Sequence, residues 1–230
     1  MRKPIIAIDG PSGVGKSTLS KLLARELGYL NLDTGAMYRS VALAAERRGI
    51  DPADEQALGR LCRTIRIEFD RAGAEERVLL DGEDVSAAIR TPAVSLLTAR
   101  VAASPTVRQA MVARQRELGA DGGVVLEGRD IGTVVFPEAE FKLFLTASTE
   151  ERGRRRFLEL QSKGVDVDLA RTIAEVEARD RADSGRETAP LRPAEDAVRL
   201  DTGDLDIGGV LRRVLELVRT KIGPSAAGAG

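Results

Sequence analysis

The 230-residue chain is 43% apolar and has a formal net charge of −1, so it can bury the core of one large domain and carries no global basic field for nucleic acid. It has no histidine, which excludes a Ser-His triad, and its single cysteine excludes an internal disulfide and a cysteine-based zinc site. No apolar run approaches ~18 residues and the N-terminus runs straight into a predicted strand, so we expect no membrane span, no signal peptide and, by default, a cytoplasmic location.

The first predicted elements are a buried strand over residues 4–9 and a helix over 16–27, joined by a glycine-rich loop. The loop has the spacing Gly-x-x-x-x-Gly-Lys-Ser and consists of Gly10, Pro11, Ser12, Gly13, Val14, Gly15, Lys16, Ser17 and Thr18. Its glycines let backbone N–H groups approach phosphates at a helix N-terminus, where Lys16 can reach the outer phosphates and Ser17 can ligate Mg²⁺. The pattern predicts a nucleoside triphosphate site, but it says little about the reaction.

The chain then continues as an α/β protein. Gly28 is expected to end the first helix, and a short strand over 29–32 leads into a second helix that runs to Gly49. This β–α–β–α order is typical of the start of a parallel sheet flanked by helices.

The sequence pattern changes in the next segment, from alternating strands and helices to short strands joined by turns. Residues 65–69 and 77–80 flank a turn-like gap and predict an antiparallel hairpin within an insertion from about 60 to 90. Cys62 is placed on the apolar face of a helix, as a buried thiol rather than a catalytic one.

The second half returns to the α/β pattern. It predicts helices around 91–102 and 105–118, followed by core strands at 124–127 and 141–145. Two helices over 148–162 and 168–182 join near Lys163. A last strand at 197–201 and a last helix over 206–221 precede a disordered tail.

Four polar groups follow predicted core strands, where open α/β sheets place their ligands. The first holds Thr34, which could donate to a phosphate at a helix N-terminus, and Arg39; the alternative is an N-cap followed by a surface arginine. In the second, glycines flank Arg129 and Asp130, which can bind a phosphate and accept from an amine or hydroxyl, or can form a structural ion pair.

The other two groups are richer in arginine. The third shares one helical face and consists of Arg152, Arg155 and Arg156. It fits either a lid that brings cations over phosphates or a solvated helix face. The fourth group consists of Arg179, Asp183 and Arg186, which also share a helical face. It fits either a site that binds a phosphate and a ribose together or a set of surface salt bridges. One triphosphate needs fewer cations than these groups supply, so together they predict a second, phosphorylated substrate.

With these residues assembled, the chain resembles the bacterial cytidylate kinases, a P-loop family of nucleoside monophosphate kinases that act on CMP and dCMP. The most specific match is the Gly-Arg-Asp-x-Gly-Thr-Val-Val-Phe-Pro stretch of residues 128–137. The resemblance runs in order from residue 4 to about 220, and its other matching stretches are the glycine-rich loop, Leu32–Arg39, Asp81–Val85, Ile89–Pro92 and Arg179–Asp180.

The resemblance implies a parallel β-sheet core flanked by helices, with a small β-containing insertion and a helical lid. The implied parts are a core of residues 1–35, 91–147 and 186–222, a monophosphate-binding region with the hairpin at 36–90, a lid at 148–185 and a disordered tail at 223–230. It also implies ATP with Mg²⁺ as donor, CMP or dCMP as acceptor, a monomer, and no nucleic-acid or membrane partner.

The resemblance implies roles for individual residues as well. The CMP phosphate would be held by Thr34, Arg39, Arg129 and Arg186, the sugar by Arg179 and Asp183, and the cytosine by Arg108 and Asp130. Charge in the transfer step would be neutralised by Lys16, Arg129, Arg152 and Arg156. Ser184 departs from the family, which often has arginine there, so the fourth group carries one cation fewer.

Two other functions remain open at this stage. A P-loop kinase that acts on an alcohol, such as a sugar acid or a shikimate-like compound, would explain the loop and some of the arginines but not the base-reading pair Asp130 and Arg108. A GTP-dependent switch usually carries Asn-Lys-x-Asp to read guanine, and no such tetrapeptide occurs in this sequence. The acid nearest Mg²⁺ is also open, between Asp9, Glu127 and water alone.

Overall fold

The computed structural model describes residues 2–71, 76–162 and 164–223, and the chain divides into two compact units. The first unit contains the residues up to Asp33 together with those from Leu118 onward, and the second is the continuous segment Thr34–Glu117. Each unit has its own apolar core.

The elements alternate between strands and helices for most of the chain. The strands are β1 (Lys3–Asp9), β2 (Leu30–Asp33), β3 (Ile67–Asp70), β4 (Arg77–Leu80), β5 (Glu83–Asp84), β6 (Gly122–Gly128), β7 (Phe141–Thr146) and β8 (Val198–Asp201). The helices are α1 (Lys16–Leu27), α2 (Thr34–Arg47), α3 (Glu55–Thr64), α4 (Pro92–Val101), α5 (Pro105–Leu118), α6 (Thr149–Ser162), α7 (Leu169–Ser184) and α8 (Ile207–Ile222). Short helical turns lie at Ala88–Arg90 and Ile131–Val135.

A parallel sheet organises the first unit, in the order β2-β6-β1-β7-β8. The strand β1 lies at its centre, and residues 5–8 are at most 1% exposed, as expected for a parallel strand buried on both faces. Apolar side chains of α1 and α8 pack with those of the strands in one core. The predicted α/β fold with a parallel core is confirmed.

The helix α1 shows how local sequence sets an element's bounds. It spans Lys16–Leu27, as predicted, and buries Leu19, Leu23 and Leu27 on one face, while Leu22 is half-buried. Gly28 has a φ of 62° and ends the helix in the left-handed conformation, where its N–H bonds back to the last turn.

The second unit contains helices α2 to α5 and an antiparallel sheet in the order β3-β4-β5. The predicted hairpin is confirmed by the pairing of Ile67 with Leu80 and of Asp70 with Arg77. The third strand, β5, was not predicted. Cys62 lies on α3 and is half-buried, and burial raises the pKa of its thiol to about 11, in keeping with an inert side chain.

Three predicted features fall outside the described residues, either fully or in part. They are the turn of the hairpin at 72–75, the joint at Lys163 and the disordered tail from residue 224 onward. Within the described ranges, no helix combines the length and the apolar character that crossing a membrane requires.

Candidate active site

The glycine-rich loop links the central strand β1 to α1, and its backbone is held close to neighbouring segments. At Gly10, which has a φ of 150°, a Cβ atom would lie 2.5 Å from the carbonyl oxygen of Leu145. At Gly13, with a φ of 75°, it would lie 2.9 Å from the carbonyl oxygen of Arg152. Side chains at these positions would force the loop away from β7 and α6, so glycine is required at both.

Lys16 is a buried cation at the start of α1. Its Nζ donates to the carbonyl oxygen of Pro11 at 2.6 Å, and the residue is 5% exposed. Burial, with the nearby positive charge of Arg129, lowers the pKa of Lys16 to about 7, while Glu127 acts in the opposite direction. Arg179 and Asp183 also contribute to this electrostatic environment. Lys16 therefore belongs to one charged cluster with three of the predicted second-substrate residues, Arg129, Arg179 and Asp183.

Oxygen ligands suitable for Mg²⁺ gather beside the loop. The hydroxyl of Ser17 donates to Oε1 of Glu127 at 2.5 Å, and Glu127 is buried at the end of β6. Burial raises the pKa of Glu127, and so does Asp33 at the end of β2, which is paired with Glu127 in the sheet register. A divalent cation would relieve this crowding of negative charge. Among the described residues no group of three or more Asp, Glu, Cys or His could hold a metal ion.

Asp183 on α7 gathers two of the predicted phosphate-binding arginines. Its Oδ2 accepts from Nε of Arg129 at 2.8 Å, and its Oδ1 accepts from Nη2 of Arg186. Both arginines keep the pKa of Asp183 below its ordinary value although burial acts to raise it. The structure thus brings together Arg129, Asp183 and Arg186, which lie 54 and 3 residues apart in the chain.

Arg152 fixes the start of α6 to the glycine-rich loop. It is 4% exposed, and its guanidinium donates to the carbonyl oxygens of Ala147 at 3.0 Å and Ser12 at 3.1 Å. The same group donates to Thr149 at 3.0 Å and forms an ion pair with Asp180 on α7. The third predicted group therefore includes a deeply buried arginine, not only a solvated face.

The other two arginines of that group have different partners. Arg155 donates to the hydroxyl and the carbonyl oxygen of Thr202 at 3.1 and 2.7 Å, and also to Glu151 on its own helix. Arg156, a predicted charge-neutralising residue, pairs with Glu159 one turn along α6 at 2.8 Å. The three arginines therefore diverge, although their spacing placed them on one face.

The second predicted group is held by a residue from another strand. Asp9, the last residue of β1, accepts backbone N–H groups of Ile131 and Gly132, each at 2.8 Å. These residues come directly after Arg129 and Asp130, and Asp130 is 5% exposed. Asp9 is thus engaged in backbone bonds, whereas Glu127 contacts the hydroxyl of Ser17.

The remaining predicted substrate residues lie in the second unit. Thr34 is buried as the first residue of α2, and Arg39 is half-buried on the same helix. Arg108 on α5 is 4% exposed, and its guanidinium carbon lies 5.8 Å from the centre of the Tyr38 ring. Within this unit the fold therefore brings Arg108 next to the helix that carries Thr34 and Arg39.

Two polar residues near the loop were given no role from the sequence. Thr202 follows β8, is 2% exposed, and its hydroxyl contacts the carbonyl oxygen of Val14 at 3.4 Å. Asp180 pairs with Arg152. The rule that ligands lie at the carboxyl ends of parallel strands could have identified Thr202, since it immediately follows the last strand.

Comparisons with known proteins identify close relatives. A family model described as cytidylate kinase matches residues 6–220. A cytidylate kinase of Syntrophotalea carbinolica is 62% identical over 231 aligned positions, which cover 99% of this chain and 98% of that protein. A cytidylate kinase of Geobacter sp. (strain M21) is 57% identical over 95% of this chain and 94% of its own. Among solved structures, a shikimate kinase from Bacteroides thetaiotaomicron has a TM-score of 0.50 at 14% identity, over 94% of this chain and 98% of that one, a likeness of fold alone.

Proposed function

This chain belongs to the cytidylate kinase family, and from that premise we propose that it transfers the γ-phosphate of ATP to CMP or dCMP, giving ADP and CDP or dCDP. The observation that carries the proposal is the family match across residues 6–220, which includes both the glycine-rich loop and the Arg129–Asp130 segment. The charged cluster around Lys16 supports it, because partly buried arginines beside a phosphate loop suit a second anionic substrate. Transfer to an alcohol is not favoured.

The residues of the first unit suit catalysis by positioning and charge neutralisation. The attacking oxygen of a nucleoside monophosphate is already anionic, so the reaction needs no strong general base, in keeping with the absence of histidine. Lys16 would contact the donor phosphates, and Arg129 and Arg186 the acceptor phosphate. When the phosphate binds, some of the hydrogen bonds between Asp183 and these arginines would be replaced, or the arginines would contact both Asp183 and the sugar.

Mg²⁺ fits the oxygen atoms beside the loop. Ser17 would bind it directly and Glu127 directly or through water, the other ligands being phosphate oxygens. Bound there, the ion would supply positive charge to the phosphates of ATP.

The other substrate contacts are proposed from the family's motifs. They assign Thr34 and Arg39 to the CMP phosphate, Arg179 to the sugar, and Arg108 and Asp130 to the cytosine. Arg152 and Arg156 are proposed to approach the transferring phosphate as part of a lid. For Arg152 this requires an exchange of partners, because its guanidinium is engaged with Ser12, Ala147, Thr149 and Asp180. The monomeric state and the cytoplasmic location stay predictions from the sequence, and gel filtration tests the first.

A coupled ADP-release assay tests the proposed function directly. The panel contains CMP, dCMP, UMP, AMP, GMP and shikimate, each with ATP and Mg²⁺. We expect CMP and dCMP to give the highest kcat/KM. Phosphorylation of the alcohol without turnover of CMP would overturn the proposal.

A further inference from the structure

The segment after β6 makes one helical turn whose first N–H groups need an outside acceptor. Inside the turn, the N–H groups of Val134 and Val135 bond to the carbonyl oxygen of Asp130 at 2.9 and 3.2 Å, and that of Phe136 bonds to Ile131 at 2.7 Å. The N–H groups of Ile131 and Gly132 come too early in the turn to have such partners. Asp9 accepts both at 2.8 Å and so caps the turn from a different strand.

The position of Asp9 makes this cap a link between two functional segments. Its next residue is Gly10, where the glycine-rich loop begins, and in the sheet it is the register partner of Gly128, the residue before Arg129. One carboxylate therefore joins the strand end that leads into the donor loop to the turn that follows Arg129 and Asp130. Two bonds to adjacent N–H groups fix both the distance and the orientation of that turn.

The burial of Asp9 argues that the link is specific. The residue is 4% exposed, and burying a carboxylate costs free energy that an apolar residue at the same position would avoid. The charged groups that act on it are Asp130, which raises its pKa, and Lys16, which lowers it; the side chain of Lys142 lies beside Gly132 on the same side as Asp9. Each of its two oxygens accepts one backbone N–H group, so both oxygens take part in holding the turn.

We propose that Asp9 is a positioning residue, which holds the turn carrying Arg129 and Asp130 in register with the glycine-rich loop. Through it two of the residues assigned to CMP, Arg129 and Asp130, are aligned with the residues assigned to ATP. The inference rests on the proposed function, because it concerns the alignment of the two substrates of that reaction.

The decisive variant is Asp9→Asn, which keeps the size of the side chain but offers only one acceptor oxygen. Its amide group would face the second backbone N–H, so the turn must shift or tilt. We expect kcat/KM for CMP to fall by roughly tenfold to a hundredfold, with a higher KM for CMP, because small misplacements of reacting groups are costly. ATP affinity, measured by calorimetry without CMP, is expected to change by less than about threefold, because the loop keeps its own contacts.

Glu140→Gln is the matched control. Glu140 accepts the N–H of Ile5 at 2.7 Å, so it is another carboxylate that bonds to the backbone of β1, at the end of the strand far from the loop. The same exchange of carboxylate for amide is expected to lower the unfolding temperature without changing KM for CMP. If a substitution only reduced the fraction of protein that is folded, it would lower the apparent kcat and leave KM for CMP unchanged.

The outcomes separate this inference from the proposed function. Wild-type protein that fails to phosphorylate CMP overturns the proposed function. Wild-type protein that is active, beside an Asp9→Asn variant with unchanged KM and kcat for CMP, overturns the positioning role. If Asp9→Asn does not fold, Asp9→Glu keeps the charge but displaces the turn by one methylene, and an unchanged KM for CMP in that variant overturns the role equally.

Discussion

Asp183 holds two arginines at once, and this sets what each arginine can do. Nε of Arg129 and Nη2 of Arg186 are engaged by its two oxygens, and Nη1 of Arg129 donates to the carbonyl oxygen of Gly128 at 3.2 Å. The carboxylate also partly neutralises two cations that would otherwise repel each other and Lys16. The pair is therefore pre-oriented for a dianionic phosphate.

Replacing Arg129 with alanine should separate catalysis from folding. We expect kcat/KM for CMP to fall by about a hundredfold, because one charge-bearing donor to a transferring group contributes ~3 kcal/mol. The fold should persist, since Asp183 keeps its pairing with Arg186. Steady-state kinetics and circular dichroism measure the two effects.

Arg171→Ala provides the control for this substitution. Arg171 lies on α7 and pairs with Glu175, and its side chain is 81% exposed. Removing it should leave CMP turnover within about twofold, because exposed ion pairs contribute little. Near-normal turnover in Arg129→Ala would refute the role given to Arg129.

Lys16 predicts a proton linkage to ATP binding. Burial and the positive charge of Arg129 lower its pKa to about 7, so part of the protein has a neutral Lys16 at pH 8, where an ordinary lysine would be charged. The negative charge of bound triphosphate raises that pKa, so binding at pH 8 should be accompanied by proton uptake. Calorimetry in two buffers of different ionisation enthalpy measures the uptake. Lys16→Arg, which stays charged, should abolish the buffer dependence; equal heats in both buffers for the wild type would contradict the prediction.

Asp9 predicts a pH dependence of stability with a definite sign. Burial, opposed by its two backbone bonds, raises its pKa from 3.8 to about 6, so the folded state binds a proton more tightly than the unfolded state. Its contribution should therefore become more favourable as the pH falls from above 6 to 4, by about 3 kcal/mol in full. Urea unfolding of wild type and Asp9→Asn at pH 4.5 and 7.5 tests this. A difference between the two proteins that does not change with pH would contradict it.

At the scale of elements, α6 and α7 are in tight contact at a glycine. A Cβ on Gly153 would lie 2.5 Å from Cγ1 and 3.0 Å from Cα of Ile173. Because a backbone atom cannot rotate away, Gly153→Ala should push the helices apart and destabilise the protein by about 1–3 kcal/mol despite alanine's higher helix propensity.

Gly208→Ala is the matched substitution in a helix. A Cβ at Gly208, in the first turn of α8, would meet its nearest neighbour, Nη1 of Arg212, at 3.5 Å, an ordinary contact. It should therefore stabilise the protein by ~0.5–1 kcal/mol. Thermal unfolding distinguishes the two; stabilisation by Gly153→Ala would show that α6 and α7 can separate without cost.

Elements with strong local signals could be predicted from the sequence, and those held by remote contacts could not. The strand β1 is a continuous apolar run, and α1 has both a buried stripe and a glycine at its end. The strand β5 has two exposed acidic residues, Glu83 and Asp84, and exists because β4 offers a free edge. No local pattern predicts it.

The same distinction applies to the candidate site. The loop and the Arg129–Asp130 segment could be found because their spacing is specific. The divergence of Arg155 and Arg156 depends on Thr202 and Glu159, and helical periodicity gives only the face, not the partner. The role of Asp9 depends on two N–H groups more than 120 residues away, which no spacing rule reveals.

At the scale of the whole molecule, the proposed function predicts linkage between stability and substrate. A ligand at about a hundredfold above its Kd should stabilise the protein by ~2.7 kcal/mol. We therefore expect CMP to raise the unfolding temperature more than AMP does at equal concentration. Differential scanning fluorimetry measures the shift, and an equal shift with both nucleotides would contradict cytosine recognition.

The central place of β1 in its sheet also governs when the protein can fold. Lys3 pairs with Gly122, so this strand, once synthesised, waits for a neighbour that lies 119 residues further along the chain. At typical rates of synthesis this interval lasts roughly 6 to 24 seconds. The second unit, Thr34–Glu117, is continuous in sequence and emerges complete within that interval. During translation, the apolar strand that leads into the nucleotide loop is thus the part of the chain that most needs protection from premature association.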